Sequence, residues 1–600
     1  MKRFRSSFLR LVLALCIAVC LADASPAAGS KRPSPPNIVI ILADDLGYSD
    51  LGAFGGEIPT PNIDALAQRG VRFTNFYTHA SCSPTRAMLM TGVDTHRNGL
   101  GNMAEWTAPN QRGVAGYEGH LRENLPTLPE LLRGGGYRTY MVGKWHLGRE
   151  PSQIPAARGF DRDFALLDGA ASYWDMTGFT AAAPKSVFTE DGRYLTRLPD
   201  DYYATKTYTD KIISFIEADR NLRKPFFALV AHQAPHDPYH LPSDWPLRSN
   251  GAYAAGWDEL RKSRLAKQIE LGLMPKGTEL AARMPGIPEF NSLPPAARAL
   301  AVKRMELYAG MVENFDHHVG RLIDYLKSIG EFDNTLILVL SDNGAEGTDV
   351  LRLLAGAPGS PNQRFAAEFW GKASPDDWGK PGSYVTYGPM WAQVSMTPFS
   401  QLKGSMAEGG IRSPLIVHGA SMRRASGSIN DSVMHVTDIT PTLLDIARIQ
   451  YPKKDRLGAR LPSLQGKSWT DLLANKKRST RSPTEYVAWE LFGNRSIRAG
   501  DWKLRWQIPP FGKGDWELFN LKTDLAERVD LARENPEQLA RIIGFWNDYV
   551  RTNNIVLPNL TVFDFMRAAQ SGSSLSDPSF PPIFNFRQFI PPEEMVADPK

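Results

Sequence analysis

The chain has 600 residues, 42% hydrophobic and 22% charged, with a formal net charge of +5. That is ordinary globular material, too long for one ordinary core and too nearly neutral for a nucleic-acid or polybasic membrane partner, which would need a clustered basic face. Its 45 prolines and 50 glycines imply many loops, with no internal repeat, heptad or long low-complexity tract between them.

Lys2, Arg3, Arg5 and Arg10 flank or precede an apolar run from Leu11 to Ala22, and small residues follow at Ala22-Asp23-Ala24 and Pro26-Ala27-Ala28. This reads as an export signal over residues 1–24, cleaved near Ala24 or Ala28, and predicts a periplasmic or secreted protein. The run is short for a bilayer, so no stable membrane anchor is expected. A lipoprotein site at Cys20 is disfavoured by Val19, where a small residue is required. Removing the signal takes away Cys16 and Cys20, brings the charge to about +2 and leaves Cys82 as the one remaining thiol. Such a cysteine is inert, paired between chains, or chemically special.

After a Pro-rich linker, Asn37 to Leu42 is a continuous β-branched run, the pattern of a strand buried on both faces of a parallel sheet. Asp44 and Asp45 follow it, at the carboxyl end where open α/β sheets bind ligands. Pro61 to Gly70 reads as a helix, and Val71 to Tyr77 as a strand leading to the Cys82 loop, with helix-forming residues from Arg86 to Thr91. A helix from Leu128 to Arg133 and a strand from Tyr137 to Val142 deliver Lys144 and His146. A helix from Thr205 to Ala218 and a strand from Pro225 to Val230 deliver His232 and His236. Residues 240–300 and 350–400 are long excursions of the kind that shape or cover a site, the second bearing Trp370, Trp378, Tyr384, Tyr387 and Trp391. A long helix from Ala297 to Ile329, a strand from Thr335 to Leu340 ending at Asp342-Asn343, and a strand from Pro414 to Val417 complete this region. Beyond a basic break near Asn475 to Arg481, three strands are expected at Tyr486–Phe492, Ser496–Trp506 and Trp516–Leu521, then a helix from Glu534 to Thr552.

The fold class is therefore α/β: a large, mixed, mostly parallel sheet flanked by helices, plus a smaller C-terminal antiparallel sheet with one helix. The expected boundaries are a catalytic domain over residues 35–470, a small α+β domain over 480–556, and an extension over 557–600.

Three carboxylates at matching strand ends, Asp44, Asp45 and Asp342, need a cation to neutralise them. With Asn343 they form an oxygen set suited to a hard ion such as Ca²⁺ or Mg²⁺, against the alternative of capped helices and solvated turns. Arg86, Lys144, His146, His236 and Lys403 lie on loops after strands and could hold the oxygens of a tetrahedral anionic ester. His317-His318, adjacent in a helix, diverge by roughly 100° and read as structural; His232 reads as a core or supporting histidine.

Cys82-Ser83-Pro84-Thr85-Arg86 matches the Cys-x-Pro-x-Arg signature of the sulfatase family, with Gly92 where the extended signature has its glycine. The likeness extends to Ala43–Gly47, Gly143–Gly148, Ala234-Pro235-His236, Ser341–Gly344, Lys403 and Glu408–Arg412, and to Asp501–Leu504 and Trp516–Leu521 in the C-terminal region. Gly101–Glu105 and Leu198–Tyr203 most resemble the bacterial arylsulfatase branch. The resemblance implies an alkaline-phosphatase-like fold and hydrolysis of sulfate monoesters, aryl sulfates foremost. It also implies that Cys82 is oxidised to formylglycine by a formylglycine-generating enzyme acting on the unfolded chain. Asp44, Asp45, Asp342, Asn343 and the modified Cys82 would then hold Ca²⁺, in preference to Mg²⁺. The aldehyde hydrate would attack sulfur, Arg86 and His146 would position it, and His146 would act as base when the sulfated enzyme collapses. Lys144, His236 and Lys403 would bind sulfate, with His236 or Lys403 assisting the leaving group. Alternatives are a phosphonate or phosphodiester hydrolase on the same site, or a binder of sulfated ligands that remains unmodified.

Overall fold

The run Asn37–Ala43 (β1) is buried along its whole length, as its lack of alternation requires. It sits mid-sheet in a computed structural model that describes residues 35–559 apart from 356–357, 420–426, 456, 478 and 510. The export signal, with Cys16 and Cys20, and residues 560–600 of the extension lie outside the described residues.

In chain order the remaining strands of this sheet are Val71–Phe73 (β2), Arg138–Lys144 (β3), Arg162–Leu166 (β4), Phe188–Glu190 (β5) and Arg193–Tyr194 (β6). They continue as Phe226–Ala231 (β7), Thr335–Ser341 (β8), Leu415–His418 (β9) and Ser428–Asn430 (β10). The ten strands lie in the order β10-β2-β9-β8-β1-β7-β3-β4-β5-β6. β1 pairs parallel with both β7 and β8, and β7 with β3. Ala43 stands opposite Ser341, Leu42 opposite Ala231, and Ala231 opposite Gly143. Because these strands finish flush, the residues after each emerge along one edge.

Side-chain alternation along β1 divides the interior into two cores. Val39 and Ile41 pack with residues of the helices Ala204–Asp219 and Pro295–Ser328, such as Tyr208, Phe215, Met311 and Phe315. Ile38, Ile40 and Leu42 pack on the other face with Met88 and Leu89 of the helix Cys82–Thr91 (α1) and with Leu128, Leu132 and Leu443.

The C-terminal part is a four-stranded antiparallel sheet, Tyr486–Leu491 (β11), Asn494–Ala499 (β12), Trp502–Trp506 (β13) and Trp516–Asn520 (β14), followed by the helix Pro536–Asn553. Ala488, Ile497, Leu504 and Leu518 face that helix at Ile542, Trp546 and Tyr549. Val487, Trp489 and Leu491 face the other way, onto Tyr77, Ala80, Met406 and Ile411 around the Cys82 loop. Trp489 donates its indole N–H to the Thr78 carbonyl at 2.8 Å. The fully buried Lys503 ammonium sits between Glu408, at 2.8 Å, and Glu527, at 3.0 Å. Glu408 also takes Arg412, at 3.1 Å, and the Tyr77 hydroxyl, at 2.6 Å.

Three boundaries differ from the sequence expectation. Ser496–Trp506 is two strands, because Gly500, at φ 60°, reverses the chain between β12 and β13. Val71–Tyr77 breaks after Phe73: the Thr74 carbonyl is taken by Arg412 at 2.7 Å, and Phe76–Tyr77 leaves to pair with Met434–His435. β9 runs antiparallel to β8 and is followed by one further strand, β10.

Replacing Trp489 with Ala removes a fully buried ring and an indole hydrogen bond. It is expected to cost about 3–5 kcal/mol, read as a fall in Tm beside the exposed control Val529→Ala. His96, buried between Asp94 and Glu490 at 2.9 Å each, is raised to about 9: burial opposes the charge and the two carboxylates outweigh it. Its stabilisation is complete below the unfolded histidine value of about 6.5. It is lost as pH rises through about 9, so the Tm gap between wild type and His96→Gln should close over that interval.

Candidate active site

α1 begins at Cys82 itself, so residue 82 stands at the positive end of a ten-residue helix. The side chain is 2% exposed, and Cys82 is the free cysteine among the described residues. Burial opposes the thiolate, but Lys144, Lys403 and His146 outweigh it and hold the thiol well below its usual range. His146 Nδ1 lies 3.5 Å from Cys82 Sγ. Burial opposes the His146 charge, yet Cys82 and Glu105 raise the group to about 9.

The flush strand ends bring the acidic set together. Asp44 and Asp45 follow β1, and Asp342 and Asn343 follow β8. All four are at most 2% exposed. Asp45 adopts φ 64° and His146 φ 57°, left-handed conformations that Asp and His tolerate better than most residues. Gly344 allows this edge to seat against the Lys403 loop, since a Cβ there would lie 1.9 Å from the Gly409 carbonyl oxygen.

Each carboxylate is answered by a cation. Arg86 donates Nε and Nη2 to Asp342 Oδ2 at 2.9 and 2.8 Å, and Nη1 to the Lys144 carbonyl at 2.6 Å. Lys144 Nζ donates to Asp44 Oδ2 at 2.6 Å, and Lys403 Nζ meets Asp45 Oδ1 at 2.8 Å. His236 Nε2 is 3.4 Å from Asp45 Oδ2, and its Nδ1 is 2.9 Å from Asp237 Oδ1. Burial opposes the His236 charge, while Asp45, Asp44 and Asp237 raise it to about 10.

Arg86 Nη2 also approaches Asp44 Oδ1 at 3.6 Å, an ion pair beyond hydrogen-bond reach. Among the described residues, Asp44 Oδ1 and Asn343 Oδ1 are buried with no hydrogen-bond partner, a costly state unless a further ligand takes them. Ligand atoms of Asp44, Asp45 and His236 lie within 4.8 Å of one another, as do those of Asp44, Cys82 and Asp342. His236 faces Asp45 as a cation, so the donors that fit are the oxygens of Asp44, Asp45, Asp342 and Asn343, a set for a hard divalent ion.

All ten residues expected from the sequence thus converge. The decoys separate as expected: His318 contacts Arg321 at 3.1 Å, far along the Pro295–Ser328 helix, and His232 is a neutral core histidine lowered to about 3 by burial. The ring-rich excursion is largely packing, with Trp391 and Tyr387 fully buried and Trp370 stacked on Phe179. Three contributors escaped the sequence reading. Glu105 Oε1 is 3.3 Å from His146 Nε2, Glu346 Oε2 is 3.3 Å from Lys403 Nζ, and Asp237 carries His236 and accepts from the Tyr384 hydroxyl. Only their neighbours in the chain marked them: Glu105 ends the Gly101–Glu105 stretch, and Asp237 follows His236.

Comparison with known proteins gives the family. A family model described as Sulfatase matches residues 36–449, more than half of the chain. An uncharacterized sulfatase of Schizosaccharomyces pombe is 38% identical over 541 residues, covering 88% of this chain and 95% of the relative. An arylsulfatase of Klebsiella aerogenes is 36% identical over 479 residues, covering 78% of this chain and 98% of the relative. A solved structure in complex with its substrate D-glucosamine-2-N,6-O-disulfate shares the fold at TM-score 0.55 and 22% identity, covering 87% of this chain and 98% of that one.

Chelator-stripped protein should gain stability, read as a rise in Tm, on titration with a hard divalent cation, reaching about 2.7 kcal/mol at one hundred times Kd and growing logarithmically beyond it. Asp342→Ala should abolish the gain. A flat response to Ca²⁺, Mg²⁺ and Mn²⁺ alike would count against a metal centre here.

Proposed function

Because this chain belongs to the sulfatase family and is a sulfuric ester hydrolase, we propose that it cleaves aryl sulfate monoesters to a phenol and inorganic sulfate, using a formylglycine derived from Cys82 and a bound Ca²⁺. The observation that carries this reading is the setting of residue 82. It lies buried at a helix N-terminus, beside His146 and within the field of Lys144 and Lys403, next to buried oxygens of Asp44 and Asn343 that accept no hydrogen bond. The aryl preference draws on the relative named arylsulfatase.

The aldehyde, as its hydrate, supplies an oxygen nucleophile where the gene encodes a thiol. The cation, held by Asp44, Asp45, Asp342 and Asn343, supplies Lewis acidity toward ester oxygens. The other parts belong to this chain's side chains. Arg86, fixed by Asp342 and the Lys144 carbonyl, holds the start of α1 against the acidic cluster. Lys144, Lys403 and His236 provide three cationic donors for the oxygens of an anionic ester. Conversion of Cys82 to formylglycine removes the thiolate charge that does most to keep His146 protonated, which frees Nδ1, on the residue-82 side, to take a proton, while Glu105 faces Nε2 and stabilises the imidazolium that forms. His236, held charged by Asp45 and Asp237, is the donor placed to protonate a departing oxygen. Burial of Cys82, Lys144 and Asp44 keeps bulk water from the reacting atoms.

A formylglycine-generating enzyme must reach Cys82 before the chain folds, since the folded site closes over it. Export to the periplasm or medium is part of the same reading and rests on the N-terminal pattern.

Mass spectrometry of the Cys82 peptide from active protein should show formylglycine that reacts with hydroxylamine, and Cys82→Ala should lose at least about a thousandfold in kcat. An unmodified thiol in fully active protein would sink the mechanism. Faster turnover of a phosphate diester than of an aryl sulfate would instead make the enzyme a phosphodiesterase on this site.

A further inference from the structure

The cations of the site differ in how far they reach toward solvent. The side chains of Lys144 and Arg86 are 0% and 3% exposed, whereas those of His146, His236 and Lys403 are 9%, 9% and 10% exposed. An ester therefore enters past His146, His236 and Lys403, with its sulfate end going toward Lys144 and its alcohol end remaining among the outer three.

Each of those outer cations carries a carboxylate that is not a candidate ligand of the metal: Asp237, 1% exposed, holds His236 from within, and the other two carboxylates stand further out. Glu105, in the single 3-10 turn Ala104–Trp106, reaches His146 Nε2, and its side chain is 45% exposed. Glu346, on the segment after β8, reaches Lys403 Nζ and is 11% exposed. Asp168 also lies near His146 and Glu105; Arg149 beside it, 51% exposed, pairs with Asp168, and its charge also reaches Glu105. At both His146 and Lys403 the carboxylate lies further toward solvent than its cation, 45% against 9% exposed at the first and 11% against 10% at the second, so an incoming group meets the Glu105 carboxylate before the imidazolium behind it.

We propose that Glu105, supported by Glu346, restricts the enzyme to sulfate esters whose alcohol half carries no second anionic group. This rests on the sulfate-ester reading above and narrows it. The single negative charge of the ester is met by Lys144, His236 and Lys403. A second one, a few bonds away on the alcohol, is carried into the layer of Glu105 and Glu346, where like charges face each other in a partly dehydrated opening. Glu105 carries the larger share. His146 outweighs burial and holds the Glu105 carboxyl at about 2, whereas burial, against Lys403, pushes Glu346 upward toward its neutral form.

The test uses two aryl sulfates of the same shape, 3-carbamoyl-4-nitrophenyl sulfate and 3-carboxy-4-nitrophenyl sulfate, on the full-length formylglycine-bearing enzyme. The ratio of their kcat/KM values is read within each protein, so any loss of folded enzyme or of general activity cancels. Wild type should favour the amide by about tenfold or more. Glu105→Gln should bring the ratio near one, Glu346→Gln should move it less, and raised salt should shrink it in wild type. A wild-type ratio near one, or a ratio that Glu105→Gln leaves in place, overturns the proposal. Turnover of neither ester, with phosphate diesters cleaved, overturns the sulfate-ester reading on which it rests.

Discussion

Three carboxylates, Asp44, Asp45 and Asp342, share one buried pocket, and the surrounding structure depends on neutralising them. Uncompensated buried charge costs several kcal/mol per group, so each carboxylate acts as a fixed anchor for a specific cation. Arg86 is locked by Asp342, Lys144 by Asp44, and Lys403 by Asp45. Side chains that would otherwise be mobile are thereby held in place, and on the proposed reading these are the groups that meet the ester. The same pairing links the two ligands thermodynamically. The lysines suited to hold an ester lie against the carboxylates suited to hold the metal, so occupancy of one site alters the free energy of filling the other.

The C-terminal sheet is tied to this arrangement through charge as well as packing. Lys503 on β13 is clasped by Glu408, on the loop that carries Lys403, and by Glu527, which also accepts from the Glu408 backbone N–H at 2.7 Å. Trp489 and Tyr77 close the same contact beside the residues leading into Cys82. Damage to the C-terminal sheet therefore reaches the site through two of its segments, although no residue of that sheet touches Cys82 among the described contacts.

The strand ends were legible in the sequence because buried parallel strands carry unalternating apolar runs, and the polar residues directly after Ile41-Leu42 and Val339-Leu340 stand out against them. The start of α1 was legible from the helix-forming residues Arg86 to Thr91, which put Cys82 at or just before a helix N-terminus. What could not be read was set by tertiary contacts. β4, β5 and β6 are short and contain polar residues, so no periodic signal separates them from loops. The antiparallel direction of β9 follows from where it packs, since an apolar tetrapeptide carries no orientation. Glu105 looked like any surface acid because its partner, His146, lies 41 positions away.

The parallel register of β3, β7, β1 and β8 has an evolutionary consequence. A pocket assembled from the ends of four neighbouring strands cannot shift one ligand without slipping a strand, and a one-residue slip would turn every core side chain to the wrong face. The chemistry is therefore frozen into the sheet. The turns bearing Glu105 and Glu346 hold no rung of it, so descendants of this chain can exchange those turns and acquire new substrates while the reaction stays the same.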